Sequence, residues 1–237
     1  MNKYEVLQDD KIEVSGHILY RIKALKDFFG ANAGDLGGYI EGESNLSHEG
    51  TCWVYDNARV FGEAYVYGNA YVYDNAYVYG DARVYGDARV YGNARVYGNA
   101  CVYGNACVCG DAYVYDNAYV YGDARVYGNA RVCGDARVYG NARVCGNARV
   151  YGNARVCDNA KINKISDVLC ISPIGSRNDT TTFFKTKDNN ICVKCGCFTG
   201  TIDNFLGAVE ETHGENKHAK AYRLACELAK IQIELED

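Results

Sequence analysis

The sequence has little proline, methionine or tryptophan, with one residue of each in 237. The single proline, Pro173, leaves no proline-rich linker that would separate rigid domains. No apolar run is long enough to cross a bilayer, and the opening stretch MNKYEVLQDDKIEV lacks the apolar segment of a secretory leader. We therefore expect no membrane partner and a cytoplasmic location.

An excess of positive charge is also missing. The formal net charge is -5, and the ten arginines between Arg59 and Arg155 are matched by ten acidic residues within residues 53–160. Nucleic-acid binding depends on a strongly basic surface. We therefore do not expect a nucleic-acid partner.

What the sequence has in abundance is a six-residue repeat. Every sixth residue from Val54 to Val156 is valine, and every sixth residue from Ala58 to Ala160 is alanine. In Ala-x-Val the two small apolar side chains point to one side of a short strand, and the Gly-Asn or Gly-Asp that follows supplies a bend. Such short strands cannot fold alone, and the regular glycines disfavour a helix. Stacked units that share a core remain, which predicts a β-solenoid.

These units resemble the hexapeptide-repeat proteins, in which a branched aliphatic residue follows a small residue two positions earlier. The resemblance implies a mostly β fold: a left-handed parallel β-helix with three hexapeptides per coil, hence a triangular solenoid of about six to seven coils. The segment GDLGGYIEGESNLS is similar to the start of hexapeptide-repeat proteins from bacteriophages and prophages. That similarity implies a viral origin and a bacterial host cell, but no particular activity.

Three segments are predicted. Residues 1–52 form an N-terminal β cap and lead-in coil, with Trp53 packed beneath it. Residues 53–175 form the β-helix, and residues 176–237 form a ββαα unit that is either a second cap or a small domain. In that unit we expect Asp203 to cap the first helix and Gly214 to end it. The second helix should bury one apolar face, made of Ala221, Leu224, Ala225, Leu228 and Ile231.

Twelve cysteines raise the question of disulfides and metals. Residues 18 apart should stack on successive coils, and no shaft cysteine then lies over another, so we expect free thiols. Cys192-Val-Lys-Cys195-Gly has the spacing of a zinc knuckle, and His213 and His218 follow it. The alternative is that Cys192 and Cys195 face opposite sides of a strand as small core residues. We favour this alternative and predict no metal and no cofactor.

The candidate binding surface consists of outward columns on the shaft. Stacking of residues 18 apart aligns tyrosines in one column and arginines in others, and stacked aromatic rings stabilise each other. The same columns could bind a protein partner. The candidate binding residues are Tyr67, Tyr85, Tyr103, Tyr121, Tyr139, Arg125, Arg143, Arg137 and Arg155.

Catalysis is the remaining question. The resemblance implies that enzymes of this type transfer acyl groups with a histidine as general base, and residues 53–160 contain no histidine. His48 fits a cap better than a catalytic site. We therefore predict that the protein is not an enzyme. We expect a scaffold of phage or prophage origin that binds a host or phage protein through its columns or its C-terminal unit, and that forms a homo-oligomer, a dimer or a trimer. The alternatives are a counter-defence protein that sequesters a host protein or a nucleotide, and an acyltransferase-like enzyme.

Overall fold

The computed structural model describes residues 2–236. An antiparallel meander opens the chain, with strands β1 (Tyr4–Val14), β2 (His17–Ala24) and β3 (Leu36–Ile40). Strand β3 pairs antiparallel with β2 on one side. On its other side it pairs parallel with Arg59–Val60, the second short strand of the repeat region. This strand therefore connects the N-terminal cap directly to the stack.

The repeat region is a shaft built from two-residue strands on three faces. Face 1 consists of β4 (Trp53–Val54), β7 (Tyr71–Val72), β10 (Arg89–Val90), β13 (Cys107–Val108), β16 (Arg125–Val126), β19 (Arg143–Val144) and β22 (Lys161–Ile162). Face 2 continues from β3 through β5 (Arg59–Val60), β8 (Tyr77–Val78), β11 (Arg95–Val96), β14 (Tyr113–Val114), β17 (Arg131–Val132) and β20 (Arg149–Val150). Face 3 consists of β6 (Tyr65–Val66), β9 (Arg83–Val84), β12 (Cys101–Val102), β15 (Tyr119–Val120), β18 (Arg137–Val138) and β21 (Arg155–Val156).

The repeat pattern determines this stacking. Along each face, valine pairs in parallel with the residue 18 positions later, as Val96 does with Val114 and Val144 does with Ile162. Both the valine and the alanine positions of the repeat are buried and fill the interior. Backbone bonds join successive coils, such as Arg95 N–H to the Ala112 carbonyl at 2.9 Å. The parallel solenoid predicted from the sequence is confirmed.

Each corner of the shaft contains one residue with a positive φ. Glycine occupies most of these positions, with φ near +70° at residues such as Gly104. Aspartate takes the same conformation at a few corners, including Asp74 and Asp116 at φ 59°. The Asp74 carboxylate accepts a hydrogen bond from the Gly92 N–H on the next coil at 3.0 Å. Aspartate therefore compensates for the strain of this conformation with a bond between coils.

Buried side chains close the N-terminal end. Trp53 is fully buried, with its ring centroid 5.2 Å from that of Phe28 and 6.0 Å from that of Tyr4. The His48 ring stacks on Tyr4 at 4.2 Å and its Nδ1 accepts from the Lys3 N–H at 3.2 Å. Trp53 thus lies beneath the cap, and His48 is part of the cap, both as we expected.

At the far end the parallel ladder stops at β22 (Lys161–Ile162), whereas we expected the shaft to reach residue 175. A short 3₁₀ turn over Ile165–Asp167 follows, in which the Asp167 carboxylate accepts from the N–H groups of Asn163 and Lys164. The next strand then pairs antiparallel with its successor. The ladder also starts before residue 53, because β3 already contributes to face 2.

The C-terminal unit contains a four-stranded antiparallel sheet, where we expected two strands. Its strands are β23 (Val168–Ile174), β24 (Asp179–Lys185), β25 (Ile191–Cys195) and β26 (Phe198–Thr201). Helices α1 (Ile202–His213) and α2 (Lys217–Gln232) follow. The extra strands come from the degenerate end of the repeat and from the residues after Cys195.

Two details of these helices differ from the sequence prediction. Thr201, and not Asp203, caps α1, since its hydroxyl accepts from the Asn204 N–H at 3.3 Å; Gly214 ends the helix as expected. Helix α2 buries Ala219, Tyr222, Ala225, Cys226 and Ala229. Of the face that we predicted to be buried, Ala225 is buried, but Leu224, Leu228 and Ile231 are 72%, 47% and 78% exposed, so the prediction was wrong for its large side chains. The small residues allow α2 to lie close to the sheet, and the leucine stripe lies outside. Among residues 2–236, no helix has the length and apolar character needed to span a membrane.

Candidate functional site: the tyrosine column and the C-terminal cavity

The outward residues that follow the face 3 strands form a continuous aromatic stack, which we call the tyrosine column. Successive ring centroids are 4.7 to 5.0 Å apart and the ring planes differ by 2 to 8°. This spacing matches the distance between stacked strands, so the shaft itself sets the ring separation. The column consists of Tyr67, Tyr85, Tyr103, Tyr121 and Tyr139.

The rings of the column are half-buried, because each one covers part of its neighbours. Burial raises the pKa of Tyr85 to about 12 and also raises the pKa of Tyr67, Tyr103 and Tyr121. The hydroxyl groups therefore stay protonated at neutral pH, and the column is a neutral aromatic surface that can donate hydrogen bonds.

Arginines flank the column. Arg137 and Arg155 pair in register on face 3, and the Arg137 guanidinium lies 5.5 Å from the centroid of the Tyr119 ring. Arg125 and Arg143 pair in the same way on face 1 and are exposed. The structure therefore places both face 3 arginines on the same face as the column and the other two on the next face.

The corner between faces 3 and 1 carries a polar ladder beside the column. The Asn69 side chain donates to Asp87 at 3.2 Å, and Asn105 donates to Asp123 at 2.9 Å. These residues follow the column tyrosines in sequence by two positions, so asparagine and aspartate alternate beside the phenols on successive coils. The result is a surface of phenol and amide–carboxylate groups, to which arginine adds a guanidinium on some of the coils.

The four residues of the zinc-like motif do not converge on one point, because its two cysteines pack on opposite sides of their sheet. Cys192 packs against the interior of the shaft, whereas Cys195 packs against the core between the sheet and the helices. His213 lines a cavity of about 200 Å³ together with Cys195 and Tyr222, and the rings of His213 and His218 are 5.8 Å apart. Within residues 2–236, no three His, Cys, Asp or Glu side chains converge as metal ligands would.

This C-terminal cavity was missed by sequence reasoning because four strands and two helices are needed to form it. Arg177 and Asp179 line it beside His213. The Thr181 hydroxyl donates to Cys195 Sγ at 3.2 Å. Burial, with a smaller contribution from the neighbouring Cys195 thiol, raises the pKa of Tyr222 to about 12. The cavity therefore combines an imidazole, a guanidinium and a carboxylate around a partly apolar floor.

Sequence reasoning also missed a pair of thiols on face 1, which we call the thiol pair. Cys107 and Cys109 flank the buried Val108 on the outer side of one rung, and Tyr91 lies on the adjacent coil, where its N–H bonds the Val108 carbonyl at 3.0 Å. The neighbouring Cys109 thiol is the main cause that lowers the pKa of Cys107; burial opposes it, and Tyr91, Arg125 and Arg89 add to it. We compared only residues 18 apart and therefore overlooked these two cysteines within one coil, although the Cys-Val-Cys pattern is visible in the sequence.

Comparison with known proteins finds similarity in the repeat region. A family profile described as "YdcK Beta solenoid repeat" matches overlapping segments within the shaft, at 76–92, 82–96, 88–104, 94–110, 118–134, 124–140, 130–146 and 142–158. The chain is also 48% identical over 46 residues to the "Uncharacterized acetyltransferase YdcK" of Escherichia coli (strain K12). That alignment spans 19% of this chain and 14% of the relative.

These matches confirm the hexapeptide-type solenoid and support its left-handed form. They also correct one expectation. We predicted that the protein is not an enzyme, and the relative that it resembles is named an acetyltransferase. The prediction was based on the lack of histidine in residues 53–160.

Proposed function

We propose that this hexapeptide-repeat protein is an interaction scaffold that binds a protein partner along face 3. The observation that carries the proposal is the tyrosine column, a continuous stack of five rings bordered by exposed arginine. Tyrosine and arginine are the residue types enriched at protein interfaces and at their energetic centres. The similarity of the N-terminal segment to phage and prophage proteins supports a bacterial host or phage protein as the partner.

The rigidity of the column favours binding. The three inner rings, Tyr85, Tyr103 and Tyr121, are each held between two neighbours on adjacent coils, so a partner that contacts the column orders few new rotatable bonds. The tyrosine hydroxyls and the exposed guanidinium of Arg137 supply the polar contacts that fix orientation. A flat, repetitive surface of this kind suits a partner with an extended complementary face.

A charge-reversal pair tests the proposal. Arg137→Glu with Arg155→Glu changes face 3, and the matched control, Arg131→Glu with Arg149→Glu, changes the equivalent register pair on face 2. A partner captured from bacterial lysate by the wild-type chain is identified and its affinity measured for all three proteins. We expect the face 3 variant to bind at least 10-fold more weakly and the face 2 variant to bind as the wild type does. Equal loss in both variants, or in neither, would contradict a face 3 interface.

Acetyl transfer is a second candidate function, favoured by the name of the relative and by His213 in the C-terminal cavity. An imidazole that lines a cavity can act as a general base toward a bound acceptor, a contribution of about 10²- to 10⁴-fold. The test is release of free thiol from acetyl-coenzyme A with candidate amine and hydroxyl acceptors. We expect His213→Gln to abolish turnover and His48→Gln, which alters the cap, to retain it. Turnover that survives His213→Gln would assign the chemistry to another residue.

A further inference from the structure

The thiol pair is the feature of the shaft that neither proposed function uses. Cys107 and Cys109 lie on either side of Val108, which is fully buried. Side chains two positions apart in a strand point to the same side, so both thiols project outward from the same rung of the shaft. Each is half-exposed and neither is in a disulfide.

Two arginines bracket Cys107 along the shaft. In the ladder of face 1, β13 lies between β10 and β16, and the register places Cys107 directly between Arg89 and Arg125. Parallel strands are roughly 4.8 Å apart, so both side chains start one rung away from the thiol. A negative charge on this rung therefore has a positive charge on the coil to either side.

The outward residues that follow the face 1 strands form a second column, which holds the pair in place. In this column Cys109 follows Tyr91, and the Tyr91 ring stacks on Tyr73 with centroids 4.6 Å apart. The Val108 backbone between the thiols is part of the ladder, as Cys107 N–H bonds the Ala124 carbonyl and Cys109 N–H bonds the Val126 carbonyl, both at 2.9 Å. The two sulfur atoms are thus carried by a rigid backbone.

We propose that Cys107 and Cys109 form a two-thiolate binding site for a soft monovalent cation, with Cu(I) as its chemical type. Thiolate sulfur prefers Cu(I) among the common metal ions, and Cu(I) accepts two ligands. Across the described residues 2–236, no third His, Cys, Asp or Glu joins the pair, so the four ligands that Zn²⁺ takes are not supplied here.

Charge balance agrees with this assignment. Binding replaces the thiol protons by the cation and leaves a bis-thiolate complex of charge -1, with each released proton passing to solvent. No electron is transferred. Arg89 and Arg125 stabilise that anionic complex from the two adjacent coils, and guanidinium groups remain charged at any pH of interest.

Cys101 provides the matched comparison on face 3. Its register places it between Arg83 and Tyr119, so it has a single arginine neighbour along the ladder. The residue two positions later is Tyr103, so its rung carries no second thiol. Cys101 therefore shares the exposure of the pair but lacks its second sulfur and second guanidinium.

The test is anaerobic titration of the full chain with Cu(I) in competition with a coloured Cu(I) chelator. We expect the wild type and Cys101→Ser to take the first equivalent of Cu(I) from the chelator with equal affinity. Cys107→Ser and Cys109→Ser should bind that equivalent at least 100-fold more weakly. Arg89→Gln combined with Arg125→Gln should weaken it at least several-fold. If Cys107→Ser and Cys109→Ser keep the wild-type affinity, or if Cys101→Ser loses as much, the site is elsewhere.

X-ray absorption of the wild type loaded with one equivalent gives a check that needs no variant. We expect two sulfur ligands and no nitrogen ligand around the copper. A first shell with three or more sulfur atoms, or with imidazole nitrogen, would overturn the two-thiolate site. Since neither measurement involves a protein partner or acetyl-coenzyme A, the outcome is independent of the functions proposed above.

Discussion

At the scale of single residues, the corners of the shaft show how two residue types satisfy one backbone conformation. Gly110 has φ +68°, and a Cβ added there would lie 3.0 Å from the Gly128 nitrogen on the next coil. Asp116 occupies an equivalent corner with φ 59°, and its carboxylate accepts from the Gly134 N–H at 3.1 Å. Glycine avoids the strain, whereas aspartate offsets it with a bond.

This difference predicts the effect of two substitutions at one site. Gly110→Ala should lower the free energy of unfolding by about 1–2 kcal/mol, because an L-residue is disfavoured at positive φ and its Cβ approaches the next coil. Gly110→Asp should lower it by less than half as much, because the new carboxylate reaches the Gly128 N–H. Chemical denaturation followed by circular dichroism measures both values. An alanine variant as stable as the aspartate variant would show that the bond between coils contributes little.

At the scale of elements, the tyrosine column makes the stability of the folded chain depend on pH. Burial raises the pKa of Tyr85 to about 12, and raises that of its neighbours, from the value near 10 of an unfolded chain. A raised pKa in the folded state means that the folded chain keeps protons that the unfolded chain releases. The stabilisation is therefore complete below pH 10 and is lost as the pH rises from 10 through 12.

We expect the free energy of unfolding to fall steadily over that range. The ultraviolet absorbance of tyrosinate in the native protein should rise later than in the denatured chain and should coincide with loss of the β signal in circular dichroism. The denatured chain in concentrated guanidinium provides the control, with ionisation near pH 10. Native absorbance that follows the denatured curve would mean that the column does not shield its hydroxyls.

The first turn of α1 gives a second prediction at this scale. Thr201→Ala removes the hydroxyl that accepts from the Asn204 N–H and should cost about 1 kcal/mol of stability. Asp203→Ala, at the position that the sequence favoured, removes no capping bond and should cost less. Thermal unfolding of the two variants compares them directly, and a larger loss for Asp203→Ala would restore the earlier assignment.

Elements built from the repeat were predictable, and those outside it were less so. Val96 and Val114 fall in register because the same six residues recur without insertion, and the resemblance to hexapeptide-repeat proteins implied the three repeats per coil that set the pairing at 18 residues. In α2 the sequence offers two apolar stripes, and the larger side chains of Leu224 and Leu228 suggested the wrong one. Close packing of Ala225 and Ala229 on the sheet decided the orientation, and such packing depends on a tertiary surface that no local pattern encodes.

At the scale of the whole molecule, 18 residues are the structural unit. Removing residues 93–110 deletes one strand from each face and brings Val90 into register with Val126, so the shaft should refold one coil shorter. Removing residues 93–107 places the following alanines and valines out of phase with the coil below. We expect the first deletion to give a monodisperse protein with a native β spectrum and the second to aggregate. Size-exclusion chromatography with circular dichroism distinguishes them, and equal behaviour would contradict the coil as the unit.

The candidate sites, like the elements, were predictable where the repeat forms them and were missed where distant segments of the chain meet. The tyrosine column was found from the sequence because stacking every 18 residues predicts it directly. The C-terminal cavity around His213 was not, because its walls come from strands and helices that are distant in sequence. The thiol pair lies between these cases, since Cys107 and Cys109 are close in sequence but acquire Arg89 and Arg125 as neighbours through the ladder.

The backbone bonds of the shaft run from each coil to the next, nearly parallel to its long axis. A force that pulls the two ends apart therefore acts along these bonds and loads every rung of a coil at once. A force applied across the prism instead meets the covalent chain and the packed valines, which resist compression. The molecule is consequently a mechanically anisotropic rod, yielding coil by coil under axial tension and stiff against lateral load.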